Sequence, residues 1–64
     1  MTRSQVRKMV EDSTIARIRE VLNQLQALKR HAPIPESQRA FLYDLRDHEE
    51  FFRSLADARL QAGK

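Results

Sequence analysis

The chain has 64 residues, with Lys+Arg 12 against Asp+Glu 9, a formal net charge of +3, 41% hydrophobic residues and no cysteine. This composition excludes a disulfide scaffold, a cysteine-ligated zinc site and a cysteine nucleophile, and it is too apolar for a disordered tail. The longest unbroken apolar run, Ala40-Phe41-Leu42-Tyr43, is far too short for a bilayer span, and the N-terminal stretch lacks the apolar core of a signal peptide, so a cytoplasmic location is expected.

A first helix is expected over residues 4–31. Its apolar residues Ile15, Ile18, Leu22 and Leu25 recur at steps of three and four, with Val21 and Leu28 alongside. That spacing places one apolar stripe along a helix, close to the 3.5-residue period of coiled-coil packing. Ser4 is a candidate N-cap. Glu11-Asp12-Ser13-Thr14 interrupts the stripe and marks a weak point. The alternative is that Met1–Val10 is a loose arm and that Asp12 or Ser13 caps the helix instead.

The strongest punctuation follows. Two prolines in Ala32-Pro33-Ile34-Pro35 cannot lie inside a helix, because each removes a backbone donor and clashes with the preceding turn. A loop is expected at residues 32–34. A second helix is expected over 35–62, with Pro35 at its first position, Glu36 favourable beside the positive end of the dipole, and Gly63 ending it. Phe41, Leu45, His48, Phe52 and Leu55 form its stripe at alternating steps of four and three, widened by Leu42 and Phe51. Glu49 and Arg53 form a favourable i, i+4 pair. No window alternates at period two, so no strand is expected.

Each helix would extend about 40 Å, at roughly 1.5 Å per residue. A short loop makes the two antiparallel neighbours, and two facing stripes bury a single seam. Val21, Leu28, Leu42 and Phe51 would then stay wet. The expected fold is therefore all-α, one domain, a two-helix antiparallel hairpin self-associating into a four-helix bundle, as small domains without disulfides commonly associate. The interface residues are Ile18, Val21, Leu22, Leu25, Leu28, Phe41, Leu45, His48, Phe52 and Leu55. The expected function is a small non-enzymatic interaction and oligomerisation module, homodimeric or an accessory subunit of a larger assembly, with no cofactor and no small-molecule substrate.

Two further readings attach to particular residues. Residues 1–31 hold seven Lys/Arg and three acids, a charge of +4, whereas residues 32–64 hold five and six, a charge of −1. Arg19, Asn23, Gln26 and Arg30 fall at steps of four, three and four, with Arg3, Arg7 and Lys8 nearer the start. Such a row suits phosphates and groove edges, so a nucleic-acid partner is the alternative. His48 lies within an apolar stripe one turn after Asp44, and a carboxylate and a histidine at i, i+4 can reach one ion, the basis of a metal-responsive reading. The bland reading is a seam histidine hydrogen-bonded to a carboxylate or to its own copy. Catalysis is not expected: Ser4, Ser13, Ser37 and Ser54 have no glycine-rich elbow, and one glycine cannot build a phosphate loop.

Ile18-Arg19-Glu20-Val21-Leu22-Asn23-Gln24-Leu25 and Phe41-Leu42-Tyr43-Asp44-Leu45-Arg46-Asp47-His48 resemble the cytoplasmic helices of CorA-type divalent-cation transporters, with Ile34-Pro35-Glu36-Ser37 as the loop. The resemblance spans about Ile15 to Arg59. The membrane helices and Gly-Met-Asn pore motif of that family are absent, so it implies a stand-alone hairpin with Asp44, Asp47 and His48 as cation contacts, and no transport. The Asp47-His48 pair also resembles the late Asp-His pair of Hha/YmoA nucleoid modulators, which implies a gene-regulatory role. Arg46 and Glu49 depart from that pattern.

Overall fold

The computed structural model describes residues 1–62. They form four helices: α1 (Arg3–Asp12), α2 (Ile15–Lys29), α3 (Glu36–Arg46) and α4 (Glu49–Ala62). The all-α class and the absence of strand among the described residues agree with the periodicity. Each expected rod is instead broken near its middle. A continuous helix over 4–31 would measure about 42 Å, whereas the longest dimension of the molecule is 31 Å. The ending assigned to Gly63 lies outside the described residues.

The breaks have local causes. α1 starts on a reciprocal capping box: Thr2 Oγ1 accepts from Gln5 N, and Gln5 Oε1 accepts from Thr2 N. Thr2, not Ser4, is thus the cap. At the other end Ser13 turns its hydroxyl back onto Met9 O at 2.6 Å, and Ser13 and Thr14 are both extended, with ψ of 151° and 162°. Thr14 Oγ1 then accepts from Arg17 N and caps α2. The cap is one or two residues later than Asp12 or Ser13. Residues 3–12 are no loose arm, because Val6 and Val10 are buried.

α2 ends before the prolines, in a Schellman arrangement. His31 N donates to Leu28 O and Ala32 N to Ala27 O, and His31 takes the left-handed conformation with φ of 59°. Residues 30–35 form the connection, wider than the expected 32–34. Pro35 stands just outside α3 as its cap residue rather than at its first position. α3 closes with His48 N donating to Leu45 O, and Phe52 N donating to His48 O opens α4.

These turns let four short helices surround one core. α1 packs chiefly on α4, while α2 packs on both α3 and α4. Val6, Val10, Ile18, Val21, Leu25, Leu42, Leu45, Phe52 and Ala56 converge in a single buried cluster, capped by Ile34 from the proline loop. Val21 and Leu42, expected to stay wet in a lone hairpin, are 2% and 0% exposed. The cover comes from within the chain, because each break redirects a stripe that a straight helix would have aimed along one seam. Among the described residues, the only large hydrophobic side chain that is substantially exposed is Tyr43.

Polar contacts between helices help to fix the arrangement. Arg59 of α4 donates from Nη1 to Glu11 O and from Nη2 to Ser13 O, both at 2.8 Å. It thereby places a positive charge and two donors on the unpaired carbonyls at the end of α1. Lys29 Nζ meets Glu49 Oε1 at 2.5 Å, joining α2 to the start of α4; among the described residues Glu49 pairs with Lys29 and not with Arg53. Arg3 and Arg7 both lie over the Phe51 ring, at 4.3 Å and 5.9 Å from its centroid.

Candidate functional site

The residues expected to meet a second subunit lie largely inside one chain. Ile18, Val21, Leu25, Leu45 and Phe52 are buried, and Leu22, Leu28, Phe41 and Leu55 are half-buried against them. His48 is half-buried at the α3–α4 turn, where its Nε2 lies 2.6 Å from Met1 O. A carbonyl only accepts, so this contact holds the ring proton on Nε2 and makes His48 the tie for the N-terminus. The partner foreseen for it was a carboxylate or its own copy. Asp44 is exposed, and among the described residues no three His, Asp or Glu side chains are grouped to hold an ion. The nitrogen of His48 that reaches Met1 is thereby occupied.

With the apolar stripes internal, the accessible chemistry lies on the opposite side of α2. A helix repeats every 3.6 residues, so burying Ile18, Val21 and Leu25 turns Ala16, Glu20 and Asn23 directly outward. Arg19, Asn23, Gln26 and Arg30 are all exposed there. The structure thus does assemble these four on one open helix face. Arg3, Arg7 and Lys8 are also exposed, but on α1, where Arg3 and Arg7 are occupied with Phe51.

The outward face of α2 also carries a shallow depression open to solvent. The chain leaving its Schellman turn runs back beside the helix, and Pro33, Ile34 and Pro35 wall a groove of about 590 Å³. Its α2 side is formed by Ala16, Arg19, Glu20, Asn23, Gln24 and Ala27. Gln24 Oε1 is buried without a hydrogen-bond partner, and so is Gln38 Oε1 on α3. A buried acceptor left unpaired costs about 1–3 kcal/mol.

A second hollow of about 680 Å³ lies by the α3–α4 turn, between Arg3, Arg46, His48 and Glu50. Its lining mixes both signs of charge and offers no single ligand class a consistent field.

Sequence reasoning located the exposed row on α2 but missed the groove beside it. The loop that forms the wall was recognised as a helix breaker, and its course along α2 depends on burying Ile34, a long-range event. Arg59, which ties α1 to α4, was also missed: its partners are carbonyls more than forty residues away. Compared with protein-family models, curated proteins and solved structures, the chain matches none of them.

Proposed function

We propose that the protein is a non-enzymatic helical interaction module whose docking face is the outer side of α2, with the proline loop as a wall. The observation that supports this most is the groove over Ala16, Asn23 and Ala27. It is shallow and open, with Ala16 and Ala27 admitting close approach between the longer side chains Arg19, Glu20 and Asn23, and the proline loop along one side. Because the large apolar residues already pack within the chain, a partner meets this face and not the stripes. The test is cross-linking in the source cells, with adduct masses compared between variants. Ala16→Arg and Ala27→Arg fill the groove, and Ala58→Arg on the exposed side of α4 is the control. Adducts lost from the groove variants and kept by the control are expected. An identical adduct set in all three overturns the reading.

A second reading keeps its own support. Arg19, Asn23, Gln26 and Arg30 share one exposed helix face of a basic chain, which fits a duplex backbone and base edges. It requires binding that weakens steeply with salt and a smaller salt slope in Arg19→Ala and Arg30→Ala. Absence of retention on DNA or RNA at low salt removes it.

A further inference from the structure

We infer that the occupant of the α2 groove is a second copy of this chain, its α2 lying antiparallel on the first. This rests on the reading of that face as a docking surface. The argument is the self-complementarity of the face. Ala16, Glu20, Asn23 and Ala27 follow steps of four, three and four, the spacing of a seam between two helices. A two-fold axis passing midway between Val21 and Leu22 sets at one level any two residues whose numbers sum to 43. Ala16 then meets Ala27 of the second copy, small against small. Glu20 meets Asn23 of the second copy, whose amide donates to the carboxylate. Both pairs occur twice, as an isologous contact demands.

The flanks agree with the same axis. Arg17 and Gln24 lie on one side of the seam, Arg19 and Gln26 on the other, and the two-fold keeps each flank facing its own copy. Arg17 is then about 3 Å along the axis from Gln24 of the second copy, and Arg19 from Gln26, at 1.5 Å per residue. In the Arg19–Gln26 pair, both exposed, the guanidinium donates and the amide carbonyl accepts. Glu20 is not left as a bare charge, since Arg17 Nη1 already lies 3.4 Å from its Oε1.

Other occupants fit less well. A parallel pair sets Glu20 against Glu20, two like charges at the centre of the seam. A phosphate backbone laid along this seam meets the Glu20 carboxylate, whereas Arg19, Gln26 and Arg30 lie on one flank of it.

The chain has no cysteine, so introduced thiols report the register directly. Ala16→Cys is mixed with Ala27→Cys under mild oxidation, and each is also oxidised alone. In the antiparallel pair the two different sites face each other. Two copies of one site are eleven residues apart along the axis, about 16 Å, beyond disulfide reach. The mixed disulfide is expected to exceed either self-disulfide at least tenfold. Sedimentation of the unmodified chain from about 5 to 500 μM is expected to show a monomer–dimer equilibrium. Glu20→Arg should raise its dissociation constant at least tenfold while circular dichroism stays unchanged, and Asn23→Asp, which opposes two carboxylates, is the second variant.

Dominant self-disulfides, an unaltered equilibrium in both variants, or a monomer throughout the range each overturns the inference. A monomer whose groove variants still lose their cellular adducts leaves the docking face standing with a different protein on it. A monomer whose adducts are indifferent to the groove removes the docking face as well. A monomer retained on duplex DNA in a salt-sensitive way overturns the inference in favour of nucleic acid.

Discussion

Replacing Arg59 with methionine keeps the length and apolar stem of the side chain and removes both donors to Glu11 O and Ser13 O. A hydrogen bond from a charged donor contributes about 1.5–3 kcal/mol when buried. The bond to Glu11 O is exposed and that to Ser13 O only part-buried, so both carbonyls regain some water when freed and the two bonds together are set at about 2 kcal/mol. A few tenths more come from the charge at the C-terminal end of α1. A domain of this size has roughly 3–10 kcal/mol of stability at 0.05–0.15 kcal/mol per residue. At about 4–8 °C per kcal/mol, the melting midpoint should fall by about 10–18 °C. The assay is thermal and urea unfolding followed by circular dichroism, with Arg53→Met on the exposed face of α4 as control. Hydrogen exchange should show α1 amides losing protection first, because α1 packs chiefly on α4. Arg59→Lys keeps the charge without the fork and should fall between. If Arg59→Met and Arg53→Met melt together, the fork carries no stability and the account of how α1 is held is wrong.

Four further outcomes follow from the core, the α2 turn and the α2–α4 ion pair. Phe52 and Leu45 are fully buried within one chain; Phe52→Ala should cost about 3–5 kcal/mol and leave little residual helicity at 37 °C. Leu45→Asp should unfold the monomer itself rather than only disperse an assembly; a folded monomeric Leu45→Asp would contradict the core as described. His31→Gly should stabilise by about 0.5–1 kcal/mol in urea titration, because a side chain held at φ of 59° is relieved; an unchanged or lowered midpoint would refute this. A double-mutant cycle on Lys29 and Glu49 should give a coupling of about 0.5–1 kcal/mol that shrinks in high salt, since Lys29 is substantially exposed; a coupling near zero at low salt would show the pair to be incidental.

The class of the fold was legible in the sequence because helical periodicity is local. Ile18, Leu22 and Leu25, and Phe41, Leu45 and Phe52, name their faces through spacing alone, and a proline pair can only interrupt a helix. The same locality explains the exposed row Arg19, Asn23, Gln26 and Arg30, which is the complement of the buried stripe. Helix number was different. Glu11 to Thr14 and Asp47-His48 have intrinsic preferences too weak to decide between a kink, a solvated turn and a break. The decision came from burial, since only broken helices bring Val6, Val10, Leu42 and Ala56 into one cluster. The groove, the unpaired Gln24 carbonyl, the Arg59 fork and the His48 tie to Met1 depend on the packing of distant segments. Periodicity reports the direction a side chain takes from its own helix. What stands opposite is set by the turns, and their geometry follows from how much apolar surface each arrangement removes from water.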